Sequence, residues 1–113
     1  MAGRGARYEV VTTAGAEQDL QSLFEYLAEY DGVASADQVL DRLVQLAQSL
    51  VELPERGTHP RELAELGIRD FRQCVFKPYR LIYRVMSKKV VIYLIVDGRR
   101  NLQSLLSRRL LGA

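Results

Sequence analysis

Apolar and polar residues fall into two regimes along this chain, helical in the first half and strand-like in the second. Tyr8-Glu9-Val10-Val11-Thr12 is a short β-prone stretch, read as strand 1. Thr13 stands where a helix N-cap is needed. Leu20, Leu23, Phe24 and Leu27 then recur on one side of an amphipathic helix. Tyr30-Asp31-Gly32 ends it, and Gly32 is free to take a left-handed cap. Ser35 is suited to cap a second helix, with Val39, Leu40, Leu43, Leu46, Ala47 and Leu50 as its stripe and Pro54 as its stop. So short a break predicts an antiparallel αα-hairpin. Pro54 to Pro60 reads as a loop and Arg61 to Leu66 as one helical turn. Ile68 to Phe76 has strand character, with Lys77-Pro78 as its turn. Tyr79 to Met86 and Val90 to Val96 are the strongest strands, joined by the polar turn Ser87-Lys88-Lys89. Asn101 then caps a final helix with Leu102, Leu105, Leu106, Arg109 and Leu110 on one side. The order βααβββα predicts an α+β fold: an N-terminal strand, an antiparallel helical hairpin, a mostly antiparallel sheet and a short C-terminal helix.

At 113 residues the chain is expected to form one domain over residues 7–113, behind a short disordered lead at 1–6. No apolar run approaches the ~20 residues of a membrane span. The N-terminus carries arginines but no apolar segment behind them, so it does not read as a secretory signal. Cys74 is the one cysteine, so no intrachain disulfide forms, which suits a reducing cytoplasm. There is one histidine, and no clustered metal ligands, Gly-rich phosphate loop or Ser-His-Asp set, so neither metal nor cofactor is expected. Charge changes the picture more. Residues 1–66 hold 5 Arg and 12 Asp/Glu, a net of −7, whereas residues 67–113 hold 11 Lys/Arg and 2 Asp, a net of +9. The near-neutral total of +2 hides a dipolar chain whose C-terminal part suits an acidic or polyanionic partner.

Alternation along a strand puts Arg80, Ile82 and Arg84 on one face and Tyr79, Leu81, Tyr83 and Val85 on the other. The helical hairpin is expected to cover the Leu81/Val85 side, leaving Arg80 and Arg84 on an open face. Gly98 permits a sharp turn after the last strand, from which Arg99 and Arg100 project. One basic patch of Arg80, Arg84, Arg99 and Arg100 is therefore expected, extended by Arg69 and Arg72. Guanidinium groups so gathered bind phosphate or carboxylate bidentately. Taken singly, each also suits a solvated or salt-bridged role. Tyr79, Tyr83 and Tyr93 offer rings for base stacking or for packing within the sheet. His59, in a Pro-flanked loop, suits a general acid or an ordinary loop histidine. Cys74 reads as a small core residue, with a reactive thiol as the lesser reading.

Pro54-x-x-Gly57, Arg72, Tyr79-Arg80-Leu81-Ile82-Tyr83-Arg84-Val85, Val90-Val91-Ile92-Tyr93 and Gly98-Arg99-Arg100, with a leucine- and arginine-rich tail, resemble the RelE/ParE superfamily of bacterial toxins. The resemblance covers residues 7–111 and includes the element order. It implies the toxin of a type II toxin–antitoxin module, of the kind that stabilises plasmids and arrests growth, with a small antitoxin wrapped around it. RelE-like members cut messenger RNA on the ribosome; ParE-like members inhibit DNA gyrase and are not nucleases. Carried over from RelE, the resemblance puts phosphate-binding arginines at Arg80 and Arg100 and a basic residue at Arg72. It also puts the partner lysine at Cys74, which cannot do that job, and a tyrosine at about Leu106, which has no ionisable group, so that Tyr79, Tyr83 and Tyr93 are the nearby candidates to move the protons. That loss, with two helices of near-equal length, favours a ParE-like gyrase inhibitor over a ribosome-dependent nuclease using Arg80 and Arg100. A third reading is an inactive toxin-like interaction module.

Overall fold

The computed structural model describes residues 7–100 and 102–111; the expected lead at 1–6 and the Asn101 cap lie outside them. The chain runs β1 (Glu9–Thr12), α1 (Ala14–Asp31), α2 (Val33–Gln48), a 3-10 turn (Ser49–Val51), α3 (Arg61–Ala64), β2 (Phe71–Phe76), β3 (Tyr79–Met86), β4 (Lys89–Asp97) and α4 (Gln103–Leu111). The strands form one sheet in the order β1-β4-β3-β2. β1 runs parallel to β4, and the β4–β3 and β3–β2 pairings are antiparallel, as an α+β fold with a mostly antiparallel sheet requires.

Local chemistry sets the helix ends. Thr13 Oγ1 accepts the Ala16 N–H at 3.1 Å and starts α1. Gly32, at φ +97°, serves both helices: its N–H donates to Ala28 O at 3.2 Å and its own carbonyl accepts from Ala36 N at 3.1 Å. α2 therefore begins at Val33, and Ser35 lies inside it rather than capping it. The Ser49 hydroxyl bonds back to Leu46 O at 2.6 Å as α2 gives way to the 3-10 turn. The helix thus ends at Gln48, ahead of Pro54. β2 begins at Phe71, later than the expected Ile68, because Ile68 N–H closes the α3 turn onto Leu63 O at 3.0 Å.

The hairpin covers one face of the sheet. Ala16, Leu43 and Leu50 pack there with Cys74, Tyr79, Leu81, Tyr83, Val90, Ile92 and Ile95. The opposite face is not open, contrary to expectation. Leu63 of α3 and Leu102 and Leu106 beside and on α4 cover Phe71, Ile82, Leu94 and Val96 in a second core. The cause is β4, apolar on both faces from Val90 to Val96, which must be covered twice. A bulge completes this. Ile82 pairs with Leu94 while Tyr83 pairs with Ile92, leaving Tyr93 as the extra residue. Tyr93 and Leu94 both join the second core, and Ile95 returns to the first.

Candidate functional site

Arg80, in mid-sheet, is the most tightly held of the expected site residues. Its Nη1 and Nη2 donate to the two Glu62 carboxylate oxygens at 2.9 Å each, and its Nε donates to Gln73 Oε1 at 2.7 Å. The side chain is only 14% exposed. α3 exists in the right place to supply Glu62, and Gly98 lets the chain pass over the Arg80 stem. A Cβ on Gly98 would stand 2.8 Å from Arg80 Cδ and 3.0 Å from Pro78 O. The Arg80 hydrogen bond holds the Glu62 carboxyl below the ordinary carboxylate range, against the opposing effect of burial.

The remaining arginines do not converge on it. Arg84 sits four residues further along β3, so about 13 Å away, beside Asp70 at 3.4 Å and over the Phe71 ring at 5.9 Å. Arg72 Nη1 donates to Gly57 O at 2.8 Å and Glu55 O at 3.2 Å, clamping the loop ahead of α3. Arg69 is exposed at the approach to β2. The expected single patch is thus divided, because each strand arginine has a nearer acceptor in a loop or in α3.

Arg99 and Arg100 do project from the corner after β4. Arg99 is 75% exposed yet folds back on Asp97, with contacts of 3.0 Å from Nε and 2.6 Å from Nη2. That side-chain bond keeps the Asp97 carboxyl below its usual range. The Arg100 backbone N–H donates to Asp97 O at 3.2 Å. Its side chain is exposed and makes no hydrogen bond or ion pair among the described residues. Both arginines rim a groove of about 560 Å³ between α1, the end of β4 and α4. Tyr26 also lines that groove and stacks, tilted, on Tyr30 at 4.7 Å, both rings being more than half exposed.

The tyrosines expected to stack on bases are committed to packing. Tyr83 is fully buried, and its hydroxyl accepts the Gly57 N–H at 3.0 Å. Tyr79 is buried against Phe76, and Tyr93 meets Phe71 edge-on at 5.5 Å. Burial pushes the Tyr79 and Tyr83 hydroxyls and the Cys74 thiol up, so all three stay protonated at neutral pH. His59 Nδ1 lies 3.1 Å from Phe71 O, and Leu106 is wholly buried. Among the described residues, no three His, Cys, Asp or Glu side chains are placed to hold a metal ion. No helix among them is long and apolar enough to cross a membrane.

One element escaped the sequence reading. β1 covers β4 only as far as Ile92, and beyond it the β4 edge is capped by side chains. Asp19 Oδ2 accepts the Ile95 N–H at 3.1 Å, and Arg109 Nη2 donates to Tyr93 O at 3.1 Å. The two side chains also pair, at 3.1 and 3.0 Å. Together they replace a missing strand and tie α4 to α1. The signal was Arg109 within the apolar stripe of α4, a position that demands a partner.

The fold is shared with solved structures. The chain superposes on a chain of the chromosomal ParDE toxin–antitoxin system of P. aeruginosa with a TM-score of 0.69 at 19% identity, over 82% of this chain and 98% of that one. It also matches a chain of the RelBE2 toxin–antitoxin complex of Mycobacterium tuberculosis, with a TM-score of 0.61 at 26% identity, over 82% and 93% of the two chains. A mutant E. coli toxin RelE in the free state gives a TM-score of 0.57 at 18% identity, over 94% and 97%. Its fold is that of the RelE/ParE superfamily. Residues 10–102 match the family of the ParE toxin of the type II toxin–antitoxin system parDE, and the chain belongs to that family. It is 32% identical over 100 residues to toxin ParE3 of Caulobacter vibrioides, spanning 88% of this chain and 96% of that one.

Proposed function

We propose that the protein arrests bacterial growth by inhibiting DNA gyrase in the cytoplasm, and that a cognate antitoxin neutralises it. The observation that carries this reading is the state of Arg80. A phosphate-binding arginine must offer its guanidinium to the substrate. Here both terminal nitrogens and Nε are occupied by Glu62 and Gln73. Cleavage of RNA by 2′-OH attack also needs groups that move protons. The positions that the RelE resemblance assigns to them hold a buried thiol and a buried leucine. Membership of the ParE family supports the same choice, and the toxin–antitoxin complexes among the structural relatives support the antitoxin. Target contact falls to Arg99 and Arg100 at the rim of the groove, with Tyr26 beside them; exposed Arg and Tyr are the side chains most often found at the energetic centre of protein interfaces. Purified gyrase provides the test. Its supercoiling is expected to stop in the presence of this protein, and Arg99→Ala/Arg100→Ala is expected to relieve the block without altering the unfolding curve. Unimpeded supercoiling together with ribosome-dependent cutting of messages would establish the nuclease instead.

A further inference from the structure

We propose that the cleft between the helical hairpin and the β1 side of the sheet binds a neutral, largely apolar small molecule of about twelve non-hydrogen atoms. This goes beyond the gyrase reading and does not depend on it. The cleft has a volume of about 310 Å³. α1 closes it through Leu20, α2 through Leu43, Val44 and Ala47, and β1 through Val10 and Thr12. Its floor is the sheet, where Leu81 and Ile92 are each 1% exposed. Val44, 46% exposed, marks the mouth. Ala47 makes the space. It falls in the leucine stripe of α2, one turn from Leu43 and from Leu50, and carries a methyl group where they carry isobutyl groups. The site is separate from the groove that Arg99 and Arg100 rim. α1 stands between them, with Leu20 lining one and Leu23, Tyr26 and Leu27 the other; Ile95 lines both.

The lining selects the occupant. Apart from Thr12 and Gln48 its side chains are apolar, and among the described residues no charged side chain lines the cleft. An ion entering it would leave water without a compensating partner, so the occupant is uncharged. Glu17 reinforces this, since its carboxylate accepts the Thr12 hydroxyl at 3.1 Å and turns anions away from that wall. The Gln48 side chain is exposed and makes no hydrogen bond among the described residues. Its amide can therefore meet one hydroxyl or carbonyl group of the ligand. Size follows from volume. An apolar cavity of about 150 Å³ takes benzene, so the 310 Å³ here takes a molecule of about twelve non-hydrogen atoms. Small-molecule sites are mostly apolar, with a few polar groups that fix orientation, as Thr12 and Gln48 do here. A polypeptide suits the cleft less well. Each of its residues brings a donor and an acceptor that need partners, and the lining offers two polar side chains.

Titration of the isotope-labelled full chain with naphthol tests this. Saturable shifts of the Leu43, Val44, Leu81 and Ile92 methyl signals are expected, with a Kd of about 1 mM or tighter for a ligand of this size. Naphthoate, the same rings with a charged head, is expected to bind about tenfold less tightly or worse. Ala47→Leu fills the space from within. It is expected to abolish the naphthol shifts and to raise the urea midpoint, because filling a cavity stabilises. Should Ala47→Leu not fold, Val44→Trp across the mouth carries the same binding readout. Naphthol shifts centred on Leu23, Leu27 and Leu105 would place the site in the other groove and overturn the proposal. Undiminished binding by Ala47→Leu, or equal binding of naphthoate, would overturn it as well. So would the lack of any saturable shift at Leu43 and Ile92 up to the solubility limit of naphthol, which would leave the cleft to a side chain of a partner protein.

Discussion

Arg80→Met separates a structural arginine from a phosphate-binding one. The pair with Glu62 has side chains 14% and 27% exposed and two parallel contacts of 2.9 Å. Exposed ion pairs contribute about 0–1 kcal/mol, and breaking a fully buried pair costs about 3–5 kcal/mol. The intermediate burial here, discounted for solvent screening, sets the loss at about 2 kcal/mol. Loss of the bond to Gln73 adds about 1 kcal/mol. Arg80→Met is thus expected to cost about 3 kcal/mol and lower the melting temperature by about 12 °C. Glu62→Met alone strands the guanidinium and costs about 2 kcal/mol. The double replacement puts two apolar side chains at the margin of the second core. It is expected to be within about 1 kcal/mol of the parent, a coupling of about 4 kcal/mol or more. Urea unfolding of all four proteins measures the cycle, and induction in bacteria measures growth arrest. The double variant should recover stability and toxicity together. Coupling below about 0.5 kcal/mol would refute the structural role. So would a stable double variant that no longer arrests growth, which would make the Arg80 charge a target contact.

The Glu62 carboxyl titrates lower in the folded chain than in the unfolded one, mainly through the Arg80 hydrogen bond. Its stabilisation is therefore complete above its unfolded pKa of about 4.3 and is lost as pH falls through the lower folded value. The stability gap between parent and Glu62→Gln is expected to hold between about pH 5 and 8 and to narrow below about pH 4; urea midpoints across that range check it. Tyr83→Phe leaves the buried Gly57 N–H without an acceptor and is expected to cost about 1–3 kcal/mol in urea unfolding while the folded protein stays toxic. Gly98→Ala drives a methyl against the Arg80 stem and the Pro78 carbonyl, for about 1–3 kcal/mol by the same measurement. No loss there would mean that the corner yields more than its packing implies.

Much of this fold was legible because its signals are local. The Thr13 cap, the leucine stripes of the hairpin, Gly32 and the alternation along β3 each act within a few residues. The open-face expectation failed for a non-local reason. It rested on Arg80 and Arg84 alone and passed over Leu94 and Val96, which require cover on the same side. Glu62 lies eighteen residues from Arg80 and Asp19 ninety from Arg109, and nothing in periodicity connects either pair. The bulge at Tyr93 was equally hidden, since it appears only once β3 and β4 are paired. Among the expected site residues, Arg99 and Arg100 lie exposed at the corner as anticipated, because Gly98 and the end of β4 place them by local geometry.

Labelled thymidine and labelled amino acid uptake, followed in one bacterial culture in the first minutes after induction, tests the central claim most directly. An early fall in DNA synthesis, with protein synthesis still running, is the predicted result and makes gyrase the target. An early fall in protein synthesis would contradict it, and would mean that this surface cuts or blocks messages despite the engagement of Arg80 with Glu62.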